Sequence, residues 1–198
     1  MDGMNTIFYY MGTVLHIALN IYLWIIIIGA LISWVNPDPY NPIVIFLRKA
    51  TEPLFFWLRR HMPLIVRGID LSPIIAIAII SFLDSALVPT IREQGNLLAN
   101  LLIGTGQSLG MITNFYLIIV IIAAVISFVS PNPYNPIVRI ISAMTEPIFS
   151  WFRRRLPLVV GGIDLTPAVV IGIIYLFNLL VSQRLILMGI NLKMKGGL

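Results

Sequence analysis

From Gly3 to Pro37, and again from Gln94 to Val138, the chain carries no formally charged side chain. A helix needs roughly 20 mostly apolar residues to cross the hydrocarbon core of a bilayer. Inside that core only helices and closed barrels satisfy their own backbone polar groups. Each uncharged stretch is long enough for one crossing. Phe8–Val35 reads as the first helix and Leu97–Val129 as the third. Two shorter apolar blocks, Ile74–Val88 and Ala168–Val181, follow Pro73 and Pro167, and each is expected to extend by a turn toward Arg92 or Arg184. The composition agrees, with 59% apolar and 11% charged residues. A soluble domain has about 45–50% and about 25%. The absence of cysteine excludes a disulfide scaffold. The expected fold class is all-α integral membrane, with four transmembrane helices. The N-terminal apolar run has no basic segment before it and no small-residue cleavage site after it. It reads as an uncleaved first helix.

Loop charge sets the expected orientation. Arg48, Lys49, Arg59, Arg60 and Arg67 lie between the first two crossings, and Arg139, Arg153, Arg154 and Arg155 between the last two. These nine would share one side, against Arg92, Arg184, Lys193 and Lys195 on the other. The positive-inside rule places the two long loops in the cytoplasm and both termini outside. The net charge of +5 is therefore read as topology and as affinity for anionic headgroups, and no direct contact with nucleic acid is expected.

A shift of 94 residues aligns Ser33–Val88 with Ser127–Ser182 without a gap, and 27 of the 56 positions are identical. Upstream, Asn20, Tyr22 and Leu23 meet Asn114, Tyr116 and Leu117. The chain is an internal duplication, divided as residues 1–94 and 95–198. Each unit holds two crossings, so both enter the membrane in the same direction. The expected architecture is two parallel-repeat helical hairpins, packed as a four-helix bundle about a pseudo-two-fold axis along the membrane normal. Parallel repeats of this kind differ from the inverted repeats of many transporters.

Between the helices of each unit the same motifs recur. Pro37-Asp38-Pro39-Tyr40-Asn41-Pro42 is matched by Pro131-Asn132-Pro133-Tyr134-Asn135-Pro136. The prolines end the preceding helix, and Asn41 and Asn135 read as N-caps with proline at the first helical position. Thr51-Glu52-Pro53 and Thr145-Glu146-Pro147 are expected to start a second short helix, carrying Trp57, Arg59 and Arg60 in one copy and Trp151, Arg153 and Arg154 in the other. Aromatic rings beside arginines suit the headgroup layer. Each loop is thus expected to hold short interfacial or re-entrant helices. An amphipathic connector is favoured over a re-entrant element.

Gly68-Ile69-Asp70-Leu71-Ser72-Pro73 and Gly162-Ile163-Asp164-Leu165-Thr166-Pro167 close the loops. Ser72 and Thr166 read as N-caps, while Asp70 and Asp164 sit where a helix N-terminus stabilises a carboxylate. Capping plus an ion pair to a loop arginine is preferred over ion coordination. Deeper in the membrane, Asp84 occupies the middle of the second crossing and its repeat mate is Asn178. A carboxylate at that depth costs about 2.5–3.5 kcal/mol on insertion scales and is a functional candidate by default. Repeat symmetry suggests that Asp84 and Asn178 approach the central axis. His16 and His61 have Gly110 and Arg155 as mates, so neither belongs to a duplicated site. Gly104-Thr105-Gly106 reads as a place for close helix packing.

This ordered set of motifs, present twice, resembles the YggT (YlmG-like) family over about residues 15–185. The resemblance implies a small bacterial or chloroplast inner-membrane protein. It also implies links to cell division and nucleoid or septum organisation, to osmotic or potassium-related stress and, in a chloroplast branch, to assembly of a haem-bearing cytochrome. It implies no catalytic residues, and no cofactor or metal is expected. The leading expectation is a non-catalytic assembly or scaffold protein with a membrane-protein partner or a second copy of itself. A small-ion channel or transporter component is the alternative.

Overall fold

A computed structural model of the chain describes residues 3–34, 38–66, 69–129, 135–160 and 163–195. In chain order the elements are α1 (Gly3–Trp34), α2 (Pro42–His61), β1 (Ile65–Val66), β2 (Ile69–Asp70), α3 (Ser72–Arg92), α4 (Leu97–Val129), α5 (Pro136–Arg153), β3 (Val159–Val160), β4 (Ile163–Asp164), α6 (Thr166–Phe177), a π-helical turn (Asn178–Ser182) and α7 (Gln183–Lys195). Four helices are long and apolar enough to cross a membrane: α1, α3, α4 and the continuous Thr166–Lys195 helix. The chain is a multi-pass membrane protein. The first crossing begins at Gly3, five residues earlier than Phe8, and the fourth runs on to Lys195, well past Arg184.

The loops differ from the sequence expectation. Each holds one continuous helix, with Pro53 inside α2 and Pro147 inside α5, where two short helices were expected. A mid-helix proline frees a carbonyl one turn earlier and weakens its neighbours. A tyrosine hydroxyl from the adjacent crossing supplies a donor at this point. Tyr22 donates to the Ala50 carbonyl at 3.1 Å and Tyr116 to the Met144 carbonyl at 3.2 Å. Both carbonyls stand three residues before the proline. Asn41 and Asn135 cap as expected, accepting the Ile43 and Ile137 amides at 2.9 Å.

Each unit has its own core. Ile26, Phe55, Leu58, Ala76 and Ile80 form the first, and Ile119, Val120, Ala123, Ile141, Phe149 and Val170 the second. Shifted by 94 residues, Ile26 falls on Val120, Phe55 on Phe149 and Ala76 on Val170. One face of α2 (Val44, Leu47, Thr51, Phe55, Leu58) is buried against its unit at helical spacing. A two-residue antiparallel hairpin follows each loop helix and returns the chain to the next crossing.

The four crossings do not form a closed bundle. α1 packs on α3, α3 on α4, and α4 on α6 and α7, while among the described residues α1 has no comparable packing on α4, α6 or α7. The result is an open row. A two-fold arrangement would repeat the α3–α4 contact between α1 and α6–α7, and among the described residues no contact of that extent is present there. The four-residue turn Glu93–Asn96, with Gln94 at φ 46°, forces α3 and α4 to be antiparallel neighbours. Nothing comparable joins the row's two ends. The two loops lie at the same end of the row, since α5 touches β2.

Glycines set the closest approaches within each unit. A Cβ on Gly106 would fall 2.5 Å from the Ser182 carbonyl oxygen and 3.1 Å from the Ile186 amide. Its repeat mate Gly12 meets Arg92, the mate of Ile186, in the same way. Gly104 serves the joint between units, facing Ala86 Cβ at 3.1 Å.

Candidate functional site

At the loop end, each unit gathers a glutamate and an arginine from its loop helix and an aspartate from the hairpin strand that follows. In the second unit Arg153 Nε and Nη2 donate to Asp164 Oδ2 at 2.9 and 2.6 Å, and Nη1 donates to the Glu146 carboxylate at 3.1 and 3.3 Å. In the first, Arg59 Nη2 donates to Glu52 Oε1 at 2.5 Å and Nη1 stands 3.5 Å from Asp70 Oδ2. Glu52 and Arg59 are seven residues apart on one helix, so they share a face over two turns. The hairpin then brings Asp70 back to the same arginine. The planar guanidinium suits this two-carboxylate arrangement. Each arginine thereby ties the end of its loop helix to the entrance of the next crossing.

The aspartates do a second job. Asp70 Oδ1 accepts the Ser72 amide and Asp164 Oδ1 the Thr166 amide, both at 2.9 Å. The expected caps are therefore displaced. Ser72 and Thr166 are the first residues of their helices, and the aspartate two positions earlier supplies the acceptor. The Ser72 and Thr166 hydroxyls are buried with no hydrogen-bond partner. Burial pushes the Asp164 carboxyl up. The bonds from Thr166 and the Arg153 guanidinium outweigh it and hold the group below the ordinary carboxylate value.

The flanking residues are more open. Arg60 and Arg154 are exposed, and Arg154 Nε donates to the Ser150 carbonyl at 3.2 Å. The Trp57 ring stacks on His61 at 4.6 Å, and its mate Trp151 lies under Arg155 at 3.9 Å. Tyr40 is 85% exposed, and its amide donates to Asp38 Oδ1 at 2.9 Å. Tyr134 lies outside the described residues. In the first unit a cavity of about 530 Å³ opens beside the clamp, lined by Gly29, Arg48, Lys49, Glu52, Arg59 and Asp70 among others.

A second polar group lies at mid-helix. His16 Nδ1 is 2.7 Å from Asp84 Oδ1, joining α1 to α3, and Asn20 Nδ2 reaches the His16 ring at 3.4 Å. In the second unit Asn178 Nδ2 donates to Asn114 Oδ1 at 2.9 Å and to Thr113 Oγ1 at 3.2 Å. Asp84 and Asn178 thus find their partners inside their own units, contrary to the expected meeting at a central axis. The open row has no such axis. Asn178 also opens the π-helical turn, a distortion that often accompanies polar sites.

Of the residues singled out from sequence, the structure unites Glu52, Arg59 and Asp70, and likewise Glu146, Arg153 and Asp164. Asn20, Tyr22, Asn114 and Tyr116 entered there only as repeat markers and His16 only as a residue outside any duplicated site, while Gly12 and Thr113 were not named. A signal existed for most: Gly12/Gly106, Asn20/Asn114 and Tyr22/Tyr116 are identical at the 94-residue spacing.

A family model described as CCB3/YggT matches residues 8–91 and again residues 102–185. The chain is 31% identical to an uncharacterized protein of Pseudomonas aeruginosa over 93% of both chains. It is 28% identical to the uncharacterized protein YggT of Escherichia coli K12 over 92% of both. A further uncharacterized protein, from Haemophilus influenzae, is 30% identical over 81% of this chain and 84% of its own. No solved structure matches. With the same family pattern matched in both halves, this chain belongs to the CCB3/YggT family.

Proposed function

We propose that this protein is a non-catalytic assembly or scaffold factor of the bacterial inner membrane, of the kind that would serve cell-envelope or division machinery. Its two units act as parallel helical hairpins that hold amphipathic helices at the membrane surface. The duplicated Glu–Arg–Asp clamp carries this reading. Its charged groups are consumed in fixing α2 and α5 against the crossings, which leaves few free for chemistry. The exposed sides of those helices suit the headgroup layer: Ile43, Phe46, Phe56 and Trp57 on α2, and Ile137, Ile140 and Trp151 on α5. Aromatic and basic residues together favour that depth. The loops then face the cytoplasm, where anionic headgroups meet Arg60, Arg154 and Arg155, and the termini face outward.

The test reconstitutes the purified protein in anionic vesicles and cross-links it in native membranes. Vesicles should leak ions no faster than protein-free ones. The membrane-protein neighbours recovered with the wild type should be lost in an Arg59→Gln/Arg153→Gln variant that still inserts. Neighbours unchanged by that variant would overturn the reading.

One observation favours the small-ion alternative linked to osmotic stress. The His16–Asp84 pair places a titratable couple inside the membrane, where such groups often mark ion or proton paths. Flux through wild-type vesicles that disappears in Asp84→Asn would establish it in place of the scaffold.

A further inference from the structure

The α3–α4 joint joins the two units, and the row ends in the two faces that are the repeat mates of the faces it uses. On α4 the joint is made by Asn100, Gly104, Ser108 and Met111. Asn100 Nδ2 donates to Thr90 Oγ1 at 3.0 Å, Ser108 Oγ donates to the Ala78 carbonyl at 3.2 Å, and Ser81 Oγ lies 3.9 Å from Met111 Sδ. Gly104 fits against Ala86 and Phe82. Shifted back by 94 residues, the α4 positions become Thr6, Tyr10, Val14 and Ile17 on α1. Shifted forward, the α3 positions Ala78, Ser81, Phe82, Ala86 and Thr90 become Gly172, Tyr175, Leu176, Leu180 and Arg184 on the last crossing.

Both derived faces are uncovered. Val14 is 67% exposed and Tyr175 61%, and a Cβ on Gly172 would meet nothing within 4 Å. The end helices are also the least covered crossings, with 11% of the apolar window buried in α1 and in Thr166–Lys195 against 28% in α3 and 22% in α4.

We propose that α1 of one copy packs on the α6–α7 crossing of a second copy, repeating the α3–α4 joint between chains. This deepens the scaffold reading by naming a second copy of this chain as a partner. The contact is head to tail, because the two faces differ, so copies join in series rather than as a self-complementary pair. Val14, at the Ser108 position, comes opposite Gly172, at the Ala78 position. There a small residue lets the backbones approach. Thr6 comes opposite Arg184, replacing the Asn100–Thr90 bond. Tyr10 and Leu180 replace Gly104 and Ala86, so the joint is wider at that end.

The chain contains no cysteine, so introduced pairs report without background. Val14→Cys/Gly172→Cys is oxidised or bridged with a short bismaleimide in native membranes. The reference is Ala78→Cys/Ser108→Cys, which closes within one chain. The expected result is covalent dimers and higher species from the Val14/Gly172 pair. Dimers should also form when a Val14→Cys copy is co-expressed with a Gly172→Cys copy, and not from either variant alone. Two results would overturn the proposal: no cross-link while the reference pair closes, or equal dimer from Val14→Cys alone. A negative result here leaves a foreign partner possible, whereas the vesicle and neighbour experiment tests the scaffold reading independently of self-association.

Discussion

Arg153 and Arg59 occupy the same position in two copies of one motif, yet their geometries differ. Arg153 makes two short bonds to Asp164, whose side chain is 18% exposed, while Arg59 stands 3.5 Å from an Asp70 that is 35% exposed. Partly exposed pairs are screened by solvent and contribute little each. Arg153→Gln is therefore expected to cost about 1 kcal/mol, and Arg59→Gln about half of that, in the thermal unfolding of detergent-solubilised protein. Equal losses would contradict the geometric difference. The lowered carboxyl value of Asp164 sets a pH dependence with a definite sign. The contribution is complete above the ordinary carboxylate value near 4 and is lost as pH falls through the lower folded value. Acidification below about 4 should loosen the Arg153–Asp164 contact, and Asp164→Asn should flatten that part of the stability profile.

At the scale of helices, close approach between crossings depends on positions without a Cβ. In lipid, apolar association between helices has little hydrophobic drive, so packing contacts and small residues carry it. Gly106→Ala would place its methyl 2.5 Å from the Ser182 carbonyl oxygen. That carbonyl is backbone and cannot rotate away as a side chain can. The expected loss is about 1–3 kcal/mol, the cost of forcing extra volume into a packed contact, read as a lower melting temperature. Gly172→Ala should cost the isolated chain almost nothing, since no atom lies within 4 Å of its Cβ position. The continuous α2 and α5 belong to the same scale. A proline that sequence rules read as a helix start lies inside a helix here, and a tyrosine hydroxyl from the neighbouring crossing bonds to the carbonyl three residues before it.

For the whole molecule, two units with separate cores meet chiefly through the α3–α4 joint, with α5 touching β2 and Lys193 paired to Glu93 beside it, and this makes the chain divisible. Co-expressed fragments 1–94 and 95–198 should co-purify through α3 and α4. Gly104→Leu should weaken the pairing, since even a Cβ there sits 3.1 Å from Ala86 Cβ. Fragments that stay together with Gly104→Leu would show that the joint is held elsewhere. The ion pair between Lys193 and Glu93 at 2.5 Å links α7 to the α3–α4 turn and is expected to add little, being exposed.

Much of this was legible in the chain read alone, for reasons that are local or periodic. Hydrocarbon thickness turns uncharged length into crossings. Proline and asparagine chemistry marks the helix starts at Asn41 and Asn135, and a duplication registers as identity at fixed spacing. The partnership of Asp70 and Asp164 with loop arginines also followed from proximity along the chain. Other features depended on segments distant in sequence. His16 and Asp84 are 68 residues apart, and no pattern in either helix encodes which face meets the other. The capping role passed from Ser72 and Thr166 to the aspartates two residues earlier by a local side-chain-to-backbone bond, while the same carboxylates reach their arginines only because the hairpin returns the chain to the loop helix. The open row in place of a bundle arose in the same way: a short turn compels α3 and α4 to touch, whereas contact between α1 and α6–α7 would require faces whose fit depends on three-dimensional packing.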